Sequence, residues 1–175
     1  YLKGELKNPV NDAKLIIESL KKLDFQIIER FNIKNKDEMY DAVDEFNQKR
    51  KDSEINLIYY AGHGIAVEGQ NYLIPTEVEV KSNDPDKPYK TLKRNAYKVE
   101  ELKEELEFSK ANQRNIIILD ACRNNPIKQY RGNNGGLSRI DPPKGTLIAF
   151  STSYGSVAED GEGENSKYAT LLAEK

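Results

Sequence analysis

The stretch Ile55-Asn56-Leu57-Ile58-Tyr59-Tyr60-Ala61-Gly62-His63-Gly64 sets an apolar run directly ahead of a histidine held between two glycines. The run Ile55–Tyr60 is short, bounded by polar or turn residues, and apolar on both alternating faces. That pattern predicts a strand covered on both sides. A second segment repeats the design, with the run Ile116–Leu119 leading into Asp120-Ala121-Cys122-Arg123. Thr146–Phe150 is a third run of this kind, and Phe25–Ile28 a shorter fourth. Helical periodicities lie between them. Ala13–Leu23 carries apolar residues at 13, 16, 17, 20 and 23, with Asn11 or Asp12 as N-cap. Asp37–Lys51 sets Met39, Ala42, Val43 and Phe46 on one face, and Val99–Ala111 does the same with Val99, Leu102 and Leu106. Strands alternating with helices predict an α/β fold, a three-layer αβα sandwich around a mainly parallel sheet.

Two stretches read as loops: Lys81–Tyr97, broken by Pro85 and Pro88, and Arg123–Gly145, with its Asn-Asn, Gly-Gly and Pro-Pro pairs. No linker divides the chain, so residues 1–175 are expected to form a single domain. The sequence enters almost at once into a helix, and Leu171–Lys175 reads as the first turns of another. A domain of this class is therefore expected to have a further strand before this stretch and a strand and helices after it.

Composition removes several function classes. A formal net charge of −2 makes no electrostatic case for nucleic acid or an anionic membrane. No apolar run approaches the ~18 residues of a membrane span. One cysteine cannot form an internal disulfide, which fits a reducing, cytoplasmic setting. With one histidine and one cysteine in the chain, a zinc site built from these ligands lacks material. Any histidine-dependent chemistry must run through His63.

His63 and Cys122 each follow a predicted strand, and open α/β sheets bind ligands beyond the carboxyl ends of their strands. On neighbouring strands an imidazole would help the thiol ionise near neutral pH, and the thiolate is the nucleophile. The Gly64 N–H would be available to an oxyanion. By residue type alone, a lone cysteine at a strand end is more often a small core residue, and the spacing brings the two readings level without deciding between them.

Tyr59-Tyr60-Ala61-Gly62-His63-Gly64, followed by Ile117-Ile118-Leu119-Asp120-Ala121-Cys122-Arg123, resembles the caspase superfamily of clan CD peptidases. The likeness is nearest to its paracaspase, metacaspase and bacterial caspase-like branches. Leu6–Ala13, Ala42–Phe46 and Ile148–Ser153 extend it along the chain in the family order. The resemblance implies a cysteine endopeptidase working through an acyl-enzyme, with His63 and Cys122 as dyad and the N–H groups of Gly64 and Cys122 as oxyanion hole. True caspases have a glutamine two residues before the nucleophile and a glycine two after; here Asp120 and Asn124 stand there. Matched to the family, the pocket for the side chain before the scissile bond falls on Asp12, Asp120 and Asp160. That acidic set implies cleavage after Arg or Lys. Val157, Ala158 and Glu159 would pair with the substrate backbone as an added strand.

The implied partners are protein or peptide substrates and a regulatory protein or a second copy. A catalytically weak, caspase-like scaffold is the alternative. Glu159–Glu164 alternates oxygen ligands but lacks the EF-hand pattern and reads as an acidic turn. No metal site or cofactor is expected, and calcium dependence enters only by analogy with some metacaspases.

Overall fold

The computed structural model describes residues 8–78, 87–107, 110, 112–122, 137–151 and 163–175, with backbone alone at 87, 88 and 122. Its centre is a five-stranded sheet of β1 (Ile55–Val67), β2 (Gln70–Ile74), β3 (Tyr97–Lys98), β4 (Arg114–Cys122) and β5 (Thr146–Phe150), ordered β3-β2-β1-β4-β5. β1, β4 and β5 run parallel, and β2 and β3 extend the sheet antiparallel. The helices are α1 (Pro9–Lys22), α2 (Lys36–Lys49), α3 (Lys87–Asn95), α4 (Val99–Glu107) and α5 (Lys167–Ala173). The result is the αβα sandwich expected from the sequence.

Side-chain alternation along β4 explains the layers. Ile117, Leu119 and Ala121 point into the main core with Met39 of α2 and Val99, Leu102 and Leu106 of α4. Ile118 and Asp120 take the opposite face, where α1 packs on β1 and on α5. Each fully buried aliphatic side chain of this core contributes roughly 1.5–3 kcal/mol. A second cluster, with Ile65, Val67, Tyr72 and Ile74 of the hairpin, is roofed by Leu92 and Ala96 at the α3 end.

The structure corrects several expectations. Phe25–Ile28 forms no strand. It faces β1 across an apolar groove of about 510 Å³ bordered by Ile16, Ile27, Val43 and Leu57, so no ladder partner lies beside it. α1 begins at Pro9, where a missing N–H costs nothing. Neither Asn11 nor Asp12 caps it; Asn8 holds the cap position, and Asp12 lies inside the first turn. α2 gives way to a 3₁₀ turn at Arg50–Asp52, and α4 is described over Val99–Glu107, with Lys110 already outside it. The predicted loop at 81–97 contains α3, and Pro88 is tolerated because it falls in the first turn. At the other end, α5 spans Lys167–Ala173, so Leu171–Lys175 is the end of a helix and not its start. Ser166 caps it by accepting the Ala169 N–H at 3.1 Å.

β1 outruns its prediction because it changes partner. Glu68 and Gly69 take positive φ of 52° and 78°, a two-residue turn that folds β2 back on Ile65–Val67. In β2, fully buried Asn71 accepts the Ser138 N–H at 2.6 Å and donates to the Ser138 carbonyl at 2.9 Å.

Candidate active site

His63 is the residue at which β1 passes from one partner to the next. Its Cα stands opposite Cys122 on parallel β4 and also opposite Ile74 on antiparallel β2. Adjacent strands lie roughly 4.8 Å apart, so the register brings positions 63 and 122 side by side. Both lie inside strands, His63 within β1 and Cys122 as the last residue of β4, where the sequence pattern suggested positions just beyond. The main-chain approach is close here. A Cβ on Gly64 would sit 2.9 Å from Ala121 Cβ and 3.1 Å from Leu137 Cδ2, so only glycine fits.

On the α1 face a second group of residues converges. Asp12 Oδ1 accepts the Ser166 N–H at 2.7 Å and the Asn165 Nδ2–H at 3.2 Å. Asp120 Oδ2 accepts the Tyr59 hydroxyl at 2.9 Å and the Ser166 hydroxyl at 3.3 Å. Asn8 and Asn11 donate to the carbonyls of Gly163 and Glu164, tying the start of α1 to the residues ahead of α5. Both carboxylates are buried, Asp12 at 3% and Asp120 at 9% exposure, and no salt bridge among the described residues involves either. Burial pushes Asp120 above the ordinary carboxylate value. The hydroxyls of Ser151 and Tyr59 oppose this, Asp12 adds to it, and the Ser166 hydroxyl opposes it again. Burial, then the neighbouring Asp120, also drives the Tyr59 phenol far above its usual range.

Residues 1–175 match the family described as Caspase domain. The chain belongs to the caspase family. Among curated proteins this caspase-family chain is similar to the human mucosa-associated lymphoid tissue lymphoma translocation protein 1. It is similar also to the mouse homolog of that protein, with 29% identity over 119 residues in each case. The alignment takes in 68% of this chain but 13% of each relative, so the chain spans a small part of their length.

Within this caspase domain, Asp12 and Asp120 come together on one face, while His63 and position 122 form the last pair of the parallel ladder between β1 and β4. Val157, Ala158, Glu159 and Asp160 lie outside the described residues, as does the Cys122 side chain. Among the described residues no group of three or more His, Cys, Asp or Glu is arranged to hold a metal ion. No described helix is long and apolar enough to cross a membrane. Sequence reasoning missed Tyr59 and Ser166. Ser166 did carry a signal, a serine just ahead of an apolar run, which marks a helix N-cap. Nothing local tied it to carboxylates at 12 and 120.

Proposed function

We propose that this caspase-family chain is a cysteine endopeptidase that cleaves after Arg or Lys, with Cys122 as nucleophile and His63 as base. The observation that carries the reading is the register of positions 63 and 122, side by side where the parallel ladder between β1 and β4 ends. The Cys122 thiol gives its proton to His63, and the thiolate adds to the scissile carbonyl carbon, forming a C–S bond. The N–H groups of Gly64 and Cys122 stabilise the resulting oxyanion. The imidazolium returns the proton to the amine as the C–N bond breaks. Water then loses a proton to His63, attacks the acyl-enzyme, and breaks the C–S bond to release the acid and restore the thiol.

Asp12 and Asp120 receive the side chain before the cut, with Asp160 as the third acidic position. Among the described residues, Oδ1 of Asp12 and Oδ2 of Asp120 each accept two hydrogen bonds, which hold the two carboxylates in place for a cationic ligand. Two buried carboxylates attract a guanidinium or ammonium through charge-assisted hydrogen bonds and repel an aspartate. Val157, Ala158 and Glu159 pair with the substrate backbone. The single cysteine favours a cytoplasmic setting, in which protein substrates and a regulatory protein or second copy are the partners.

Fluorogenic peptides differing only in Arg, Lys or Asp before the reporter test this reading. Arg and Lys peptides should turn over at least a hundredfold faster than the Asp peptide. Faster turnover of the Asp peptide would refute the acidic pocket. No turnover of any of them, with Cys122 as unreactive as a free thiol, would favour the scaffold instead.

A further inference from the structure

The neighbour of Tyr59 serves the other half of the site. Tyr60 is half-buried on the α2–α4 face and packs against the main core. Its ring folds forward along its own strand, and its hydroxyl donates to the His63 carbonyl oxygen at 2.9 Å. The Ile74 carbonyl lies 3.5 Å from the same hydroxyl, and Ile74 is the residue opposite His63 on β2. One phenol thus contacts both main-chain carbonyls at the point where β1 leaves β4 and takes up β2. Burial raises its pKa well above the usual value, so it remains a donor at neutral pH. Gly62 makes the arrangement possible. A Cβ there would lie 2.7 Å from Tyr60 Oη and 2.9 Å from Cζ, so any side chain at 62 would displace the phenol.

We propose that the Tyr60 hydroxyl is a positioning group for His63, fixing where the imidazole stands relative to Cys122. The inference rests on the Cys–His reading above. His63 is the last rung of the ladder on each edge, so on neither edge does the pairing continue past it on both sides. The hydroxyl adds a restraint at this last rung through the main-chain carbonyl of His63, without using the imidazole ring. Displacing a reacting group by about 1 Å can cost on the order of 100-fold. Loss of a tether that lets His63 drift by a fraction of that should lower kcat by about tenfold, with KM within twofold.

The test is the pH profile of alkylation by iodoacetamide, which reports Cys122 alone because the chain has one cysteine. Wild-type protein, Tyr60→Phe and His63→Ala are compared, with circular dichroism confirming the fold. We expect His63→Ala to react as an ordinary thiol. Tyr60→Phe should fall between it and wild type, at least threefold slower than wild type at pH 7. A Tyr60→Phe profile superimposed on wild type, while His63→Ala differs, would overturn the tether and leave the dyad standing. If His63→Ala superimposes on wild type, the dyad reading itself fails and takes the tether with it. Should Tyr60→Phe not fold, Gly62→Ala displaces the same hydroxyl, and wild-type reactivity there overturns the proposal equally.

Discussion

Positions 63 and 122 are brought together by the backbone ladder between β1 and β4, whereas Asp12 and Asp120 are joined through the N–H and hydroxyl of one serine, Ser166. The first pairing needs no particular side chains, because strand register sets it. The second depends on polar groups that meet across 154 and 46 residues of sequence. The proposed chemistry and the proposed selectivity are therefore built from separable parts of this caspase fold. Each should fail without the other.

The sharpest break lies in the ladder half. Cys122→Ala and His63→Ala should each reduce turnover of the best peptide by about a thousandfold or more, since nucleophile and base act as a unit. Melting temperatures should stay close to wild type. Substantial activity in the alanine variant at 122, measured by single-turnover kinetics, would end the nucleophile assignment.

The acidic half should break differently. Asp120→Asn keeps the shape and removes the charge, and should lower kcat/KM for the Arg peptide on the order of 100-fold, the scale of a broken buried charge pair at ~1.4 kcal/mol per tenfold. Iodoacetamide reactivity of Cys122 should remain that of wild type. If it falls in parallel with kcat/KM, the two halves are not separable.

A smaller effect concerns stability. Asp120 gains its charge at a higher pH in the folded chain than in the unfolded one. The native state therefore binds more protons through that window, and stability falls as pH rises from the ordinary value of 3.8 to the raised folded value. Above the window the loss is complete. Asp120→Asn should then melt a few degrees above wild type at neutral pH, a shift worth about 1 kcal/mol in a chain of this size. The difference should vanish below the ordinary carboxylate value. Calorimetry at several pH values decides it, and a variant less stable than wild type at neutral pH contradicts the argument.

The least effect belongs to Tyr59→Phe. It removes one donor from Asp120 and leaves the serine bond, so kcat/KM for the Arg peptide should drop severalfold, in line with a neutral hydrogen bond of ~1 kcal/mol. A loss as large as that of Asp120→Asn would move the main restraint from Ser166 to Tyr59.

Much of this architecture was legible where one residue type has one physical use. The apolar runs of β1, β4 and β5 read correctly as strands, although Leu147 leaves one face of β5 exposed where cover on both sides was expected, and the single His and Cys stood out by scarcity. The hairpin was not legible, because Glu68 at positive φ lacks the Asn-Gly signal and buried Asn71 breaks the apolar pattern of β2. α3 was hidden by Pro88, which reads as a breaker unless the helix start is known. Phe25–Ile28 was over-read, since an extended pattern does not contain the partner that makes it a strand. In the candidate site, Tyr59 and Tyr60 looked like ordinary strand aromatics. Their hydroxyls acquire a use only when the sheet sets one face toward Asp120 and the other beneath His63.

Asn71 carries a different kind of information. Its amide offers Ser138 a donor and an acceptor together, as an opposing strand residue would, so one side chain does the work of a backbone bridge. Aspartate lacks the donor, leucine lacks both, and glutamine adds a methylene where a fully buried side chain has no room. Position 71 should thus tolerate little change, for a reason unrelated to catalysis. Anyone ranking positions of this domain by their tolerance in a saturation library would find Asn71 beside the proposed dyad, and only its hydrogen bonds would reveal that it is a fastener.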